Sequence, residues 1–87
     1  RQQTMKKINE FTDKSCKNVD YMETIRGMCW ELHDKKGISY AAMSRDCKIG
    51  YGTLANFAAC YRDTMNKNNW LKFSTYIEDM YNKLLVD

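Results

Sequence analysis

Gly37-Ile-Ser-Tyr-Ala-Ala-Met-Ser-Arg-Asp-Cys-Lys-Ile-Gly-Tyr-Gly-Thr-Leu-Ala-Asn-Phe57 is the stretch that decides how this chain folds. Its apolar residues fall in two short groups at helical spacing. Met43 and Cys47 stand four apart, Leu54 and Phe57 three apart. Ile49 sits between the groups, where it can fill the angle between two helices. Ser44 is small where a second helix has to cross closely. Ser39 is a good N-cap for the first helix, and Gly50 or Gly52 can start the second. Two short helices joined by a tight turn make a helix-turn-helix.

The pattern extends upstream. Ile25-Arg26 through Leu32, then Lys35, Lys36, Gly37, Ile38 and Ser39, supply a preceding helix and a Gly-apolar-Ser approach to the motif. The whole segment resembles the helix-turn-helix of the lambda-repressor-like group, the phage repressors and Cro proteins, over close to half the chain. Lys48 stands where that family usually has Gly, at a left-handed position that costs a non-Gly residue about 1 kcal/mol. Gly50 stands where it usually has Ser or Thr as the cap of the second helix. The resemblance implies a sequence-specific transcriptional regulator that binds double-stranded DNA in the major groove as a homodimer, with half-sites roughly 34 Å apart. It places Tyr51, Gly52, Ala55 and Asn56 at the positions that read base edges. Asn56 is the sharpest of these, because an amide donates and accepts together at adenine N6 and N7. Tyr40, Arg45, Lys48, Thr53, Arg62 and Lys67 are the matching phosphate contacts.

Composition agrees with a single small helical domain. The chain has 87 residues, no proline and four glycines, which favours an all-α fold. We expect a small bundle of four to five helices containing the helix-turn-helix, in which a dimer would supplement a modest core. The net charge of +3 is unevenly spread: residues 1–17 carry five Lys or Arg against two acids, and residues 37–69 carry four against two. A basic balance around the motif suits phosphate contact, but so small an excess is also usual in proteins that touch no nucleic acid.

No apolar run of seven residues follows a basic start and nothing approaches a membrane span, so no membrane association and a cytoplasmic location are expected. Cys29, Cys47 and Cys60 fall on the inward faces of successive helices, as reduced thiols do. No two cysteines lie closer than thirteen positions and His33 is the only histidine, which gives no metal-binding spacing. With no phosphate loop, no nucleophile beside a base and no paired carboxylates, neither an enzyme nor a cofactor is expected.

In chain order, residues 1–17 read as a flexible or partly helical basic segment anchored by Met5, Ile8 and Phe11, with Lys6, Lys7, Lys14 and Lys17 available to a DNA backbone. Residues 18–87 read as the helix-turn-helix domain with a long C-terminal helix. Asn18 or Asp20 caps a first helix that ends at Gly37 and points Tyr21, Met22, Ile25, Met28, Cys29 and Leu32 inward. Trp30 falls on its solvent side near Glu23, Arg26 and His33. It either covers the N-terminal segment or meets another chain. Tyr61 and Arg62 finish the third helix, and Asn68 or Asn69 caps a last helix from Trp70 to Leu85. Its stripe Trp70, Phe73, Ile77, Met80 and Leu84 is too short for a coiled coil and packs on the core. Tyr76, Tyr81 and Leu85 widen that face and, with Trp30, are candidates for a dimer interface. The uncharged face of Tyr51, Gly52 and Ala55 also fits an alternative reading, a helix-turn-helix that binds a protein partner without reading DNA.

Overall fold

Capping residues set the helix boundaries. In the computed structural model, which describes residues 11–85, the Asn18 side chain accepts the Tyr21 N–H and opens α1, Val19–Lys36. Gly37 closes it at φ 68°, a left-handed conformation that carries little cost without a Cβ. Ser39 accepts the Ala42 N–H at 3.0 Å and opens α2, Tyr40–Cys47. Residues 48–50 then lead into α3, Tyr51–Ala58, and Asn66 opens α4, Lys67–Leu84, by accepting the Asn69 N–H at 2.8 Å. Among the described residues there is no strand. The all-α expectation is borne out, with four helices.

One cluster holds the fold together. Ile25, Cys29 and Leu32 of α1 meet Met43 and Cys47 of α2, Ile49 of the turn, and Leu54 and Phe57 of α3, all buried. α4 lies mainly on α1 and also reaches α2, closing the cluster with Trp70, Phe73 and Ile77. The Phe57 ring meets Trp70 and Phe73 edge to face, each with centroids 5.6 Å apart, an arrangement that the aromatic quadrupole favours. Full burial of a side chain of this size contributes roughly 1.5–3 kcal/mol. The radius of gyration, 12.0 Å, is that of a folded chain of this length.

Two helix boundaries, one cysteine and the end of the α4 stripe differ from expectation, for Leu84 is exposed in the last turn of α4 instead of packing on the core. α3 stops at Ala58 instead of running through Arg62. Its last turn closes as a Schellman motif, with Cys60 N–H on Phe57 O at 3.1 Å and Tyr61 N–H on Asn56 O at 2.9 Å. Cys60 occupies the left-handed position of that motif at φ 66° and is exposed, so it does not share the buried setting of Cys29 and Cys47. α4 begins three residues earlier than expected and is capped by Asn66 rather than Asn68 or Asn69.

Met5, Lys6, Lys7 and Ile8 lie outside the described residues. Beyond them the segment up to α1 is irregular but seated on the domain. Phe11 packs edge-on against Tyr21 at 5.3 Å, Lys14 O accepts the Trp70 indole N–H at 3.0 Å, and Cys16 O accepts the Thr64 hydroxyl at 3.0 Å. Lys14 also pairs with Glu78.

Candidate nucleic-acid interface

The direction of α3 is set from both ends. At its start, Lys48 adopts φ 64° and ψ 43°, and the Ile49 N–H returns to Ser44 O at 3.1 Å. That left-handed residue turns the chain sharply enough for buried Ile49 to fill the corner. At its end, two side chains of α1 take up its terminal carbonyls. The Arg26 Nε–H donates to Phe57 O at 2.9 Å, and the Trp30 indole N–H donates to Ala58 O at 2.8 Å. These groups are among the carbonyls that a helix leaves unpaired at its C-terminus.

Arg26 reaches further. Its other guanidinium nitrogens pair with Glu23 and donate to Arg62 O at 3.1 Å, while the guanidinium lies over the Phe57 ring at 4.2 Å. Only 2% of Arg26 is exposed, although polarity had put it on the solvent side of α1. Its stem leaves α1 beside Ile25, and the charged head finds carbonyls and a ring in place of water. The one local signal was the i, i+3 pairing with Glu23; the carbonyl partners are distant in sequence. Trp30, by contrast, remains 41% exposed on the face predicted for it. It covers the end of α3, with its ring partly open.

The four candidate base-reading residues share one side of α3, opposite buried Leu54 and Phe57. Tyr51, Gly52 and Asn56 are exposed and Ala55 is half-buried. Neither the Asn56 amide nor the Tyr51 hydroxyl has a hydrogen-bond partner among the described residues. Thr53 turns to the flank, where it lines a cleft of about 260 Å³ with Asn56, Arg62, Thr64, Met65, Asn66 and Asn69. The structure therefore brings Thr53, Asn56 and Arg62 together across the gap between α3 and the start of α4. Thr64, Asn66 and Asn69 join them, and the sequence reading had treated these only as loop and capping residues.

Four of the described cations are paired within the fold, and the charged candidates are not among them. Lys14, Arg26, Lys35 and Lys83 are held in ion pairs with Glu78, Glu23, Glu31 and Asp79. Arg45, Lys48, Arg62 and Lys67 are exposed and form no ion pair among the described residues. Tyr40 is half-buried at the start of α2, stacked on His33 with centroids 4.2 Å apart. Burial pushes its phenol above the ordinary range, so it would meet phosphate as a neutral donor.

The proposed interface residues on α4 are largely engaged within the chain. Tyr76 donates to Asp46 at 3.4 Å and Tyr81 donates to Glu31 at 3.1 Å. Both rings and Leu85 pack against the core while remaining partly open. Among the described residues no group of His, Cys, Asp or Glu could hold a metal ion, and no helix is long and apolar enough to cross a membrane. Comparison with protein-family models, curated proteins and solved structures finds no match.

Proposed function

We propose that the chain is a sequence-specific DNA-binding regulator of phage-repressor type, with α2 and α3 acting as a helix-turn-helix and α3 as its reading helix. One observation supports this above the others. The outward face of α3 carries an unengaged amide at Asn56, with Lys48 in the turn before it and Arg62 on the cleft beside it, both exposed and without an ion pair among the described residues. Asn56 reads a base edge, and Tyr51, Gly52 and Ala55 form the close surface around it. Arg45, Lys48, Arg62 and Lys67, with the hydroxyls of Tyr40 and Thr53, hold phosphates on either side. The working form is a dimer on a two-fold site, using the open edges of Trp30, Tyr76, Tyr81 and Leu85.

Selection from a random duplex pool, followed by binding to the enriched and to scrambled sequence, tests this. The proposal expects one enriched motif, bound far more tightly than scrambled DNA at moderate salt. If no sequence is enriched and the protein releases duplex without preference, the regulator reading fails. The same α3 face is then the surface on which to seek a protein partner, an alternative favoured by its uncharged Tyr51, Gly52 and Ala55.

A further inference from the structure

We propose that the DNA-contacting surface continues from α3 onto the first two turns of α4, where Lys72 and Asn69 contact the duplex backbone. The inference rests on the DNA-binding reading and extends it to residues that carry no motif signature. Its basis is the way α4, lying mainly on α1, also reaches α2 and meets Phe57 of α3 through Trp70 and Phe73. The Tyr76 hydroxyl reaches Asp46 on α2 at 3.4 Å, which fixes this stretch of α4 beside the end of α2. Lys72 stands one turn before Tyr76 on the same side of the helix. That places Lys72 on the side of α4 that faces the end of α2. Lys48 follows directly after Cys47 as the C-cap of α2, so the two lysines border the same turn.

One turn earlier again, Asn69 lines the cleft that also contains Thr53, Asn56 and Arg62. Residues 69, 72 and 76 thus form a ridge of α4 running from the side of the reading helix to the turn before it. Lys72 is exposed and has no ion pair among the described residues, in contrast to Lys83 at the far end of the same helix, which pairs with Asp79 at 3.3 Å. The Asn69 side chain is likewise unengaged, since only its backbone N–H is used, by the Asn66 cap. A cation and an amide held on a rigid helix beside the reading surface suit phosphate oxygens, the first by charge and the second as a neutral donor.

The experiment follows the binding of a random-sequence duplex by fluorescence anisotropy across a salt series. Each phosphate contact made by a cation contributes about 0.9 to the slope of log K against log salt. Lys72→Ala should reduce the magnitude of that slope by about 1, and Lys72→Arg should restore it. Asn69→Ala should weaken binding several-fold at every salt concentration with little change of slope. Lys83→Ala removes the same charge from the same helix and should leave the slope as in the unaltered protein. Melting curves for each variant verify that the substitutions at exposed Lys72 and Lys83 and at half-buried Asn69 leave the fold intact. An unchanged slope in Lys72→Ala, or an equal loss in Lys83→Ala, overturns the inference while DNA binding stands. If the unaltered protein binds no duplex at the lowest salt, the inference and the reading beneath it fall together.

Discussion

A Cβ built on Gly52 meets nothing within 4 Å, and the residue does not occupy the left-handed region, so nothing in its own fold calls for glycine there. Glycine inside a helix costs about 0.5–1 kcal/mol relative to alanine. Gly52→Ala should therefore raise the unfolding midpoint in a denaturant titration by that amount of stability. The same methyl group stands on the outward face, and should weaken duplex binding if a partner surface approaches there. A variant that gains stability and binds as well as before would remove Gly52 from the contact surface. Lys48 was legible from sequence, because a tight turn between two short helices needs a left-handed residue somewhere and the motif fixed where. Arg26 and Cys60 were not. Polarity assigns Arg26 to water and apolarity assigns Cys60 to the core, whereas carbonyl partners distant in sequence decide the first and a Schellman turn decides the second.

The helices themselves were largely readable, with α1 and α2 agreeing closely because Asn18, Gly37 and Ser39 are strong capping residues in unambiguous places. α4 shows the limit of that reasoning. Asn66, Asn68 and Asn69 are all able caps, and propensity cannot rank them. Packing decides: with Asn66 as the cap, Trp70 N–H bonds Asn66 O at 2.8 Å and its ring enters the core in phase with Phe73 and Ile77. Asn66→Ala should accordingly cost about 1 kcal/mol, read as a lower thermal midpoint, whereas Asn68→Ala should change it little. Equal effects of the two substitutions would contradict the assigned start of α4. Where the candidate residues lie was readable to a similar degree, since Tyr51, Gly52 and Asn56 are exposed on α3 as expected. The candidates on α2 and α3 followed from the sequence resemblance, but Asn66 and Asn69, which line the cleft beside Asn56, belong to α4 and its cap, whose placement depends on three-dimensional packing.

At the scale of the whole molecule, the buried Cys29 and the half-buried Tyr76 at the edge of the core must stay protonated. Burial pushes the Cys29 thiol from 9.0 up to about 12, and burial, with Asp46 nearby, pushes the Tyr76 phenol from 10.0 up to about 12. Both are raised above their unfolded values, so the native chain keeps protons that the unfolded chain releases. Their stabilising effect is complete below the unfolded values and is lost as pH rises through the folded ones. Melting temperature should therefore be insensitive to these groups near neutrality and fall between about pH 9 and 12. A flat profile across that window would contradict their burial. Association is a separate question at this scale. Sedimentation at micromolar concentration should find a dimer, and a clean monomer would leave the partly open Trp30, Tyr81 and Leu85 without the proposed role. The central claim is that α3 reads DNA, and Asn56 is where it is most exposed to test. The decisive measurement is the affinity of Asn56→Ala for the selected sequence and for random duplex, side by side with Lys48→Ala. The account predicts that Asn56→Ala loses about 1–3 kcal/mol on the selected site and much less on random DNA, while Lys48→Ala weakens both about equally. Equal losses for Asn56→Ala on both sequences, or no loss on either, would contradict it.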